Sequence, residues 1–569
     1  MNLRSIFPGF CLLLLLSGCT RLAPPLSPLT GETLAMRPDR TLPRAEAYYD
    51  YLAAQYALRD NQIDQAMEAY GQALKKDPTS PLLLTELATI YVRQGKIDAA
   101  LTLAEQATVS DPAYESAYML LGQIYAGQGK NDEAIEAYER VIQLDPSNED
   151  AYLLLGALYA QAGYFGKAME VFDRLRLLLP DNPVAYYYKA RVLLDMKFYD
   201  QAAAAYHEVL SLDPTFENAI LDLAYIYEVT DRNPEAEKTY LRILSFNSSS
   251  IQASTRLGNL YMRQNKFDQA LQQFQQLLRV NRKDLESRLK IGIIHLQQKN
   301  YEDAIQDFTH LLKEQPQYDQ ALYYLGSTYE EKGDTEQAIL SFRLVSRNSP
   351  LWTTAQIRLA LLFSKQKDFR SATEVLQEAI SKQPDASDPY LYLGILYEEQ
   401  KQYAEALNVL DKGIEKTPQD TDLLVRKGII LDKLDRKKEA VEVMLKVLEI
   451  EPRNATALNF IGYTYAEMGS NLLEARQMIK AALELEPEDG YIMDSMAWIH
   501  YKMGQFKKAL EFMLEAIKRV PKDPVMQEHL GDIYNSLGKK NKAVEAFEKA
   551  LEYQHTDPDK VREKIEQLK

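Results

Sequence analysis

The sequence predicts an all-α solenoid of about fifteen helix-turn-helix repeats, and three observations predict it. The first is a period. Steps of 34 residues from Pro146 land on Pro78, Pro112, Pro180 and Pro214, pass Ser248 and Arg282, and land again on Pro316, Pro350, Pro384, Pro418 and Pro452. One extra residue near Ser470-Asn471 moves the next steps to Pro487 and Pro521, and the last reaches His555. The second is an alanine twelve residues before each of these positions, from Ala66, Ala100 and Ala134 to Ala475, Ala509 and Ala543, with no miss at the two proline-free steps. The third is a Gly or Ala in the first half of each repeat, as at Ala54, Ala88, Gly122, Gly156, Gly258, Gly462 and Gly531. Self-similarity at a fixed period of this length marks a repeat array.

Each part of a repeat has a physical reason. In Glu115–Asn148 (ESAYMLLGQIYAGQGKNDEAIEAYERVIQLDPSN) the first half carries Tyr118, Leu121, Gly122 and Tyr125 at helical spacing. The turn GQGKND follows. The second half carries Ala134, Tyr138 and Val141, and Asp145-Pro146 ends it, since proline lacks an N–H and clashes with the preceding turn. Small residues where the two helices cross let them approach. The repeats begin at Ala47, Pro81, Glu115, Glu149, Pro183, Glu217, Ile251, Leu285, Asp319, Thr353, Ser387, Thr421, Ala455, Gly490 and Pro524. Over residues 47–557 this pattern resembles the tetratricopeptide repeat. The resemblance implies a right-handed superhelix whose first helices line a concave groove, at the second, fifth, ninth, twelfth and thirteenth positions of each repeat.

Ahead of the repeats, residues 1–18 read as a leader, with Arg4 and a short apolar run too short to span a bilayer. It ends Leu16-Ser17-Gly18-Cys19, which resembles the bacterial lipobox. That resemblance implies lipidation of Cys19, and Thr20 after it favours the outer membrane, with the protein facing the periplasm. Residues 19–46 hold Pro24, Pro25, Pro28, Pro38 and Pro43 and read as a tether, either a spacer or a plain tail. Residues 558–569 read as a helix capping the far end, with Asp557 as its cap and Pro558 in its first turn.

Charge and composition exclude some functions. The 569 residues carry a formal charge of −16, and removal of Arg4 with the leader makes it about −17. This argues against nucleic acid or an anionic lipid surface as the main partner. Cys11 and Cys19 are the two cysteines, so the repeats have no disulfide and no cysteine metal site. No histidine falls in a metal-ligand spacing, and His295 and His500, in the slot of Tyr125, read as packing residues. No phosphate loop, nucleophile elbow or cofactor motif is present, and the repeats leave no room for a catalytic domain, so the expectation is a non-enzyme without cofactor.

Candidate partner-binding residues lie at the implied groove positions: Tyr187, Arg191, Tyr225, Asn259, Arg263 and Tyr323, with Glu330, Glu331, Glu398 and Glu399 among them. Such a mixture suits an extended peptide or a protein surface, and the tyrosines equally suit packing. The missing prolines near Ser248 and Arg282 point to altered joints or to tolerated drift. Residues 458–501 stand apart. Asn459, Tyr463, Asp494 and Trp498, with Tyr501 and Lys502, form either a stacking and hydrogen-bonding pocket or a patch over the defect left by the extra residue. This stretch, N-F-x-G-Y followed by D-S-x-x-W, resembles a group of long tetratricopeptide lipoproteins of bacterial outer membranes. That group includes an adaptor of a periplasmic carboxyl-terminal processing protease, which delivers peptidoglycan hydrolases to it. The implied function is a membrane-anchored protein scaffold recruiting clients to such a protease. The alternative is a scaffold for exopolysaccharide export, pilus or outer-membrane assembly.

Overall fold

A computed structural model describes residues 42–568, so the leader, Cys19 and most of the tether lie outside the described residues. Within that range the chain forms thirty-one helices and no strand. They pair into fifteen repeats and a last helix, Pro558–Glu566. The chain divides into two compact units, one ending at Lys283 and the other starting at Asp284. In each unit, the two helices of a repeat pack on each other, and the second helix packs on the first helix of the repeat that follows it in that unit.

The repeat rule holds at each level. All fifteen marker alanines are 0 % exposed. The first helix usually spans thirteen residues and the second fourteen, as in Glu115–Gly127 and Asn131–Leu144. The turn between them has one residue at positive φ in each repeat. It is Gly95, Gly129 or Gly163 early on and Lys197, Lys299 or Asp435 elsewhere. The thirteenth repeat has two such residues, Gly469 and Asn471, which is how the extra residue of that turn is absorbed.

The glycine of the first helix does more than face the marker alanine. A Cβ on Gly258 would sit 2.7 Å from the ring of Phe274, and one on Gly292 2.6 Å from that of Phe308. The missing side chain is therefore a seat for the large residue one turn beyond the alanine. Tyr138, Phe172, Phe342 and Phe547 are seated in the same way on Gly122, Gly156, Gly326 and Gly531. These rings are fully or nearly fully buried and form the spine of each core.

One boundary needs correction, and of the two readings of the proline-free joints the structure matches tolerated drift. The first helix begins at Leu42, so residues 42–46 belong to it and not to the tether. The proline-free ends are not altered: the second helices there stop at Phe246 and Val280, at the usual place. Asn247 and Ser250 bond to Glu217 at the start of the first helix of that repeat (2.9 and 2.5 Å), and Asn281 accepts the N–H of Lys283 at 3.1 Å, bonds of the kind that Asn182 to Glu149 and Ser147 to Asp145 make at joints with a proline. The irregular joint lies instead where a proline is present. The second helix of the ninth repeat stops at Arg343, and the next helix begins at Trp352. Val345 and Trp352, each 3 % exposed, turn into the core and take the place of the missing last turn.

Candidate protein-interaction site

The first-helix face carries most of the candidate residues, and neighbouring repeats bond many of them to each other. Asp222 accepts from Tyr187 (3.0 Å), from Tyr206 (3.0 Å) and, with both oxygens, from Arg191 (3.2 Å). Burial, and next the Asp222 carboxylate, push both tyrosines well above their ordinary range. Burial opposes the charge on Arg191, but Asp222 outweighs it and raises that group as well. Arg263 pairs with Glu228, which also takes the hydroxyl of Tyr240. Arg358 reaches Glu330 at 3.3 Å, and Tyr323 packs edge-on against Tyr324 and tilted against Phe342. Glu398 accepts from Arg426 (3.1 Å) and Lys433 (2.7 Å), and Glu399 from Ser364 (2.6 Å) and Lys367 (2.8 Å). Tyr225 and Glu331 are exposed, and Asn259 is half-buried.

The residues of the last repeats come together differently from the expectation. Trp498 is only 7 % exposed. Its ring stacks on His529 (3.9 Å between centroids, planes 17° apart) and on Tyr501 (4.7 Å, 9°). Its indole N–H donates to Glu467, and the Lys502 ammonium lies 4.9 Å from the ring centre. The stacking partners expected of a ligand are thus internal, and Trp498 is a packing residue. Asp494 is committed too: it sits 2.8 Å from Nδ1 of buried His529. Burial disfavours charge on His529, yet the Asp494 carboxylate outweighs it and raises the imidazole. His529 is the participant the sequence reading missed. The two histidines in the Tyr125 slot follow expectation: His500 is buried and stacks on Phe512, and His295 is half-buried and bonds Asp307 at 2.8 Å.

Beside this cluster lies a cleft of about 450 Å³. Its apolar walls are Ile429, Phe460, Tyr463, Tyr491, Ile492 and Val525. Its polar groups are Thr456, Asn459, Ser495 and four carboxylates, Glu486, Asp489, Asp494 and Asp523, with no lysine or arginine in the lining. Asp489 and Asp523 each cap a helix start through Oδ1, accepting two N–H bonds of 2.7–2.9 Å. This fixes their carboxylates at the mouth of the cleft. Oδ1 of Asn459 is buried without a hydrogen-bond partner among the described residues. Tyr463, Asn459 and Asp494 of the candidate set line the cleft, while Trp498, Tyr501 and Lys502 do not. Such a cleft suits a partner segment with an apolar side chain and a cation or N–H donor. Among the described residues no cluster has the makings of a metal site, and no helix is long and apolar enough to cross a membrane.

Sequence comparison gives the same repeat. Three family descriptions, each named tetratricopeptide repeat, match residues 51–115, 85–149 and 255–318; residues 125–192, 193–253, 295–350 and 364–427; and residues 421–454, 492–523 and 526–556. The TPR repeat-containing protein PA4667 of Pseudomonas aeruginosa is 42 % identical over 66 residues, which is 12 % of this chain and 11 % of that protein. The chain therefore spans about a tenth of the length of that relative. Similar solved structures include a tetratricopeptide repeat protein from Parabacteroides merdae (18 % identity, 44 % of this chain and 98 % of that one, TM-score 0.37). The APC/C hetero-tetramer Cut9-Hcn1 matches at 12 % identity over 86 % of this chain and 98 % of that one, with a TM-score of 0.38. Repeat models that together cover most of residues 51–556, on described residues built of paired helices, make this protein a member of the tetratricopeptide-repeat family.

Proposed function

We propose that this chain is a lipid-anchored scaffold of the bacterial outer membrane, facing the periplasm, which recruits clients to a carboxyl-terminal processing protease that turns over cell-wall hydrolases. The observation that carries the reading is the cleft of the last repeats. It lies in the stretch N-F-x-G-Y and D-S-x-x-W, and it joins apolar walls to the carboxylates of Glu486, Asp489 and Asp523, with no lysine or arginine in the lining, while Asp494 is taken by His529. A basic, partly apolar partner segment fits it, and the fixed carboxylates of Asp489 and Asp523 orient such a segment. The lipobox-like Leu16-Ser17-Gly18-Cys19 supports the anchor, although it lies outside the described residues.

The test is crosslinking from Tyr491, replaced by a photoreactive residue, in intact envelopes. The reading expects the protease or its hydrolase clients in the adduct, and loss of the adduct in Asp489→Asn with Asp523→Asn. Adducts to polysaccharide-export or pilus components would move the chain to the alternative scaffold. A Cys19→Ala variant that stays in the membrane fraction would contradict the anchor.

A further inference from the structure

The start of the repeat array has a face with no cover among the described residues. In every later repeat the third and tenth residues are buried, as are Leu83 (4 %) and Ile90 (3 %). In the second repeat these side chains pack on the second helix of the first, with Tyr70 and Ala73. The first repeat has no predecessor to pack on. Yet its equivalent residues are large and aromatic: Tyr49 is 73 % exposed and Tyr56 61 %, with Leu52 (48 %) between them and Tyr48 (61 %) at the edge. Their spacing, i, i+3 and i+7, makes one stripe on one helix. Terminal repeats of a solenoid ordinarily turn a polar face outward. Here charge stands only at the ends of the stripe, with Glu46 a turn before Tyr49 and Asp60 a turn after Tyr56. Arg59 lies over the Tyr56 ring (4.7 Å), and Asp50 is held by Lys76 at 2.8 Å.

We propose that this stripe is a lipid-contact face, which seats the first repeat on the bilayer at the level of the headgroups. Tyrosine has an apolar body and a polar tip and is enriched at that depth. Position on the chain favours this occupant. If Cys19 carries the lipid, only twenty-two residues separate it from Leu42, which keeps the stripe within roughly 75 Å of the bilayer even at full extension. Area disfavours a second copy. Four partly exposed side chains offer on the order of 500 Å² per partner, less than the ~800 Å² of a standard interface. A tethered face needs far less, because the anchor supplies the local concentration. The formal charge of −16 gives the chain no overall attraction to anionic lipid, so the contact rests on aromatic burial and is expected to be insensitive to salt.

This inference rests on the anchor reading for its place in the cell, but its test does not. A chain starting at Cys19 has that residue as its one cysteine. Coupled through the thiol to maleimide lipid in phosphatidylcholine vesicles, it keeps the native tether whether or not cells lipidate it. A Tyr56→Trp variant then reports depth by quenching from headgroup-proximal spin-labelled lipid, over a constant background from buried Trp352 and Trp498. Quenching is expected, unchanged by salt, and should fall roughly fivefold when Tyr49→Ser and Leu52→Ser are added. Circular dichroism checks that the helices persist. Absence of quenching, or quenching indifferent to the serines, overturns the proposal. Concentration-dependent self-association without quenching would assign the stripe to a second copy. An indole of the Tyr56→Trp variant already shielded without vesicles would assign it to residues 20–41. If Cys19→Ala shows the anchor reading to be wrong, the coupled protein still decides whether the stripe meets lipid.

Discussion

The two ends of the repeat array differ in what closes them. At the far end the helix Pro558–Glu566 buries Val561 and Ile565 on Ala543, Phe547 and Ala550. A charge network beneath it fixes the position. Glu528, 4 % exposed, meets Lys564 Nζ at 2.6 Å, Lys560 Nζ at 3.0 Å and, at ion-pair distance without hydrogen-bond alignment, His555 Nε2 at 3.0 Å. Lys564 also meets Asp532 at 2.6 Å. At the near end, the described residues put nothing over Tyr49, Leu52 and Tyr56. The far end uses a helix and a buried acid to hide its last apolar face. The near end enlarges its apolar face and, among the described residues, leaves it open. The difference teaches that an uncovered end is not in itself a flaw of a solenoid: where the chain has no use for it, a short helix suffices to close it.

Substitutions should treat the ends unequally, and the largest effect falls on the closed one. Glu528→Ala removes the acid that faces buried His555 and half-buried Lys564, and should cost the last repeats about 3 kcal/mol, read by urea unfolding followed by exchange of residues 524–566. The same acid gives this end a pH dependence. Burial works against the charge of Glu528, but hydrogen bonds from Lys564 and Lys560 outweigh it and hold the carboxyl down to about 2, against 4.5 for an ordinary glutamate. A depressed folded value stabilises fully above pH 4.5 and fades as pH falls toward 2. The final helix should therefore loosen in acid, and Glu528→Gln should flatten that response. Equal acid sensitivity at residues 42–59 would break the comparison.

Glycine seats sharpen it at smaller cost. A Cβ at Gly531 runs into the ring of Phe547, so Gly531→Ala should lower stability by about 2 kcal/mol in a denaturant titration. At the near end, Gly71 has nothing within 4 Å of a Cβ, and Gly71→Ala should raise stability by roughly 0.5–1 kcal/mol through helix propensity alone. The smallest effect belongs to Tyr56→Ser. On an open face it should change unfolding by less than about 0.5 kcal/mol, and a cost several times larger would mean that the stripe is covered.

Fold and repeat boundaries were legible because 34-residue arithmetic repeats the packing itself: the marker alanines are buried wherever the count places them. The role of glycine as a seat was half legible. Its spacing was plain, but which ring it receives depends on how the second helix is rotated. The bonding of the groove residues was not legible for a related reason. A charged side chain looks available in sequence, while its partner sits about one repeat on. Tyr187–Asp222, Glu228–Arg263, Ser364–Glu399, Glu398–Lys433 and Asp494–His529 are all 35 apart. That interval is the signal that would have paired Asp494 with His529 and withdrawn Asp494 from the list of free ligand contacts. Trp498 was ambiguous by composition, and only the stack with His529 and Tyr501 resolves it. The irregular joint before Trp352 had no counterpart in the period, because Pro350 keeps the count while the helix before it ends early.

Hydrogen exchange, resolved along the chain and compared between free and vesicle-coupled protein, tests the contrast between the ends most directly. The account predicts that Leu42–Arg59 exchanges faster than the buried helices when free and slows on vesicles, while Pro558–Glu566 is protected with the fifteenth repeat in both states. Strong protection of Leu42–Arg59 in the free protein, or no change on vesicles, would contradict it.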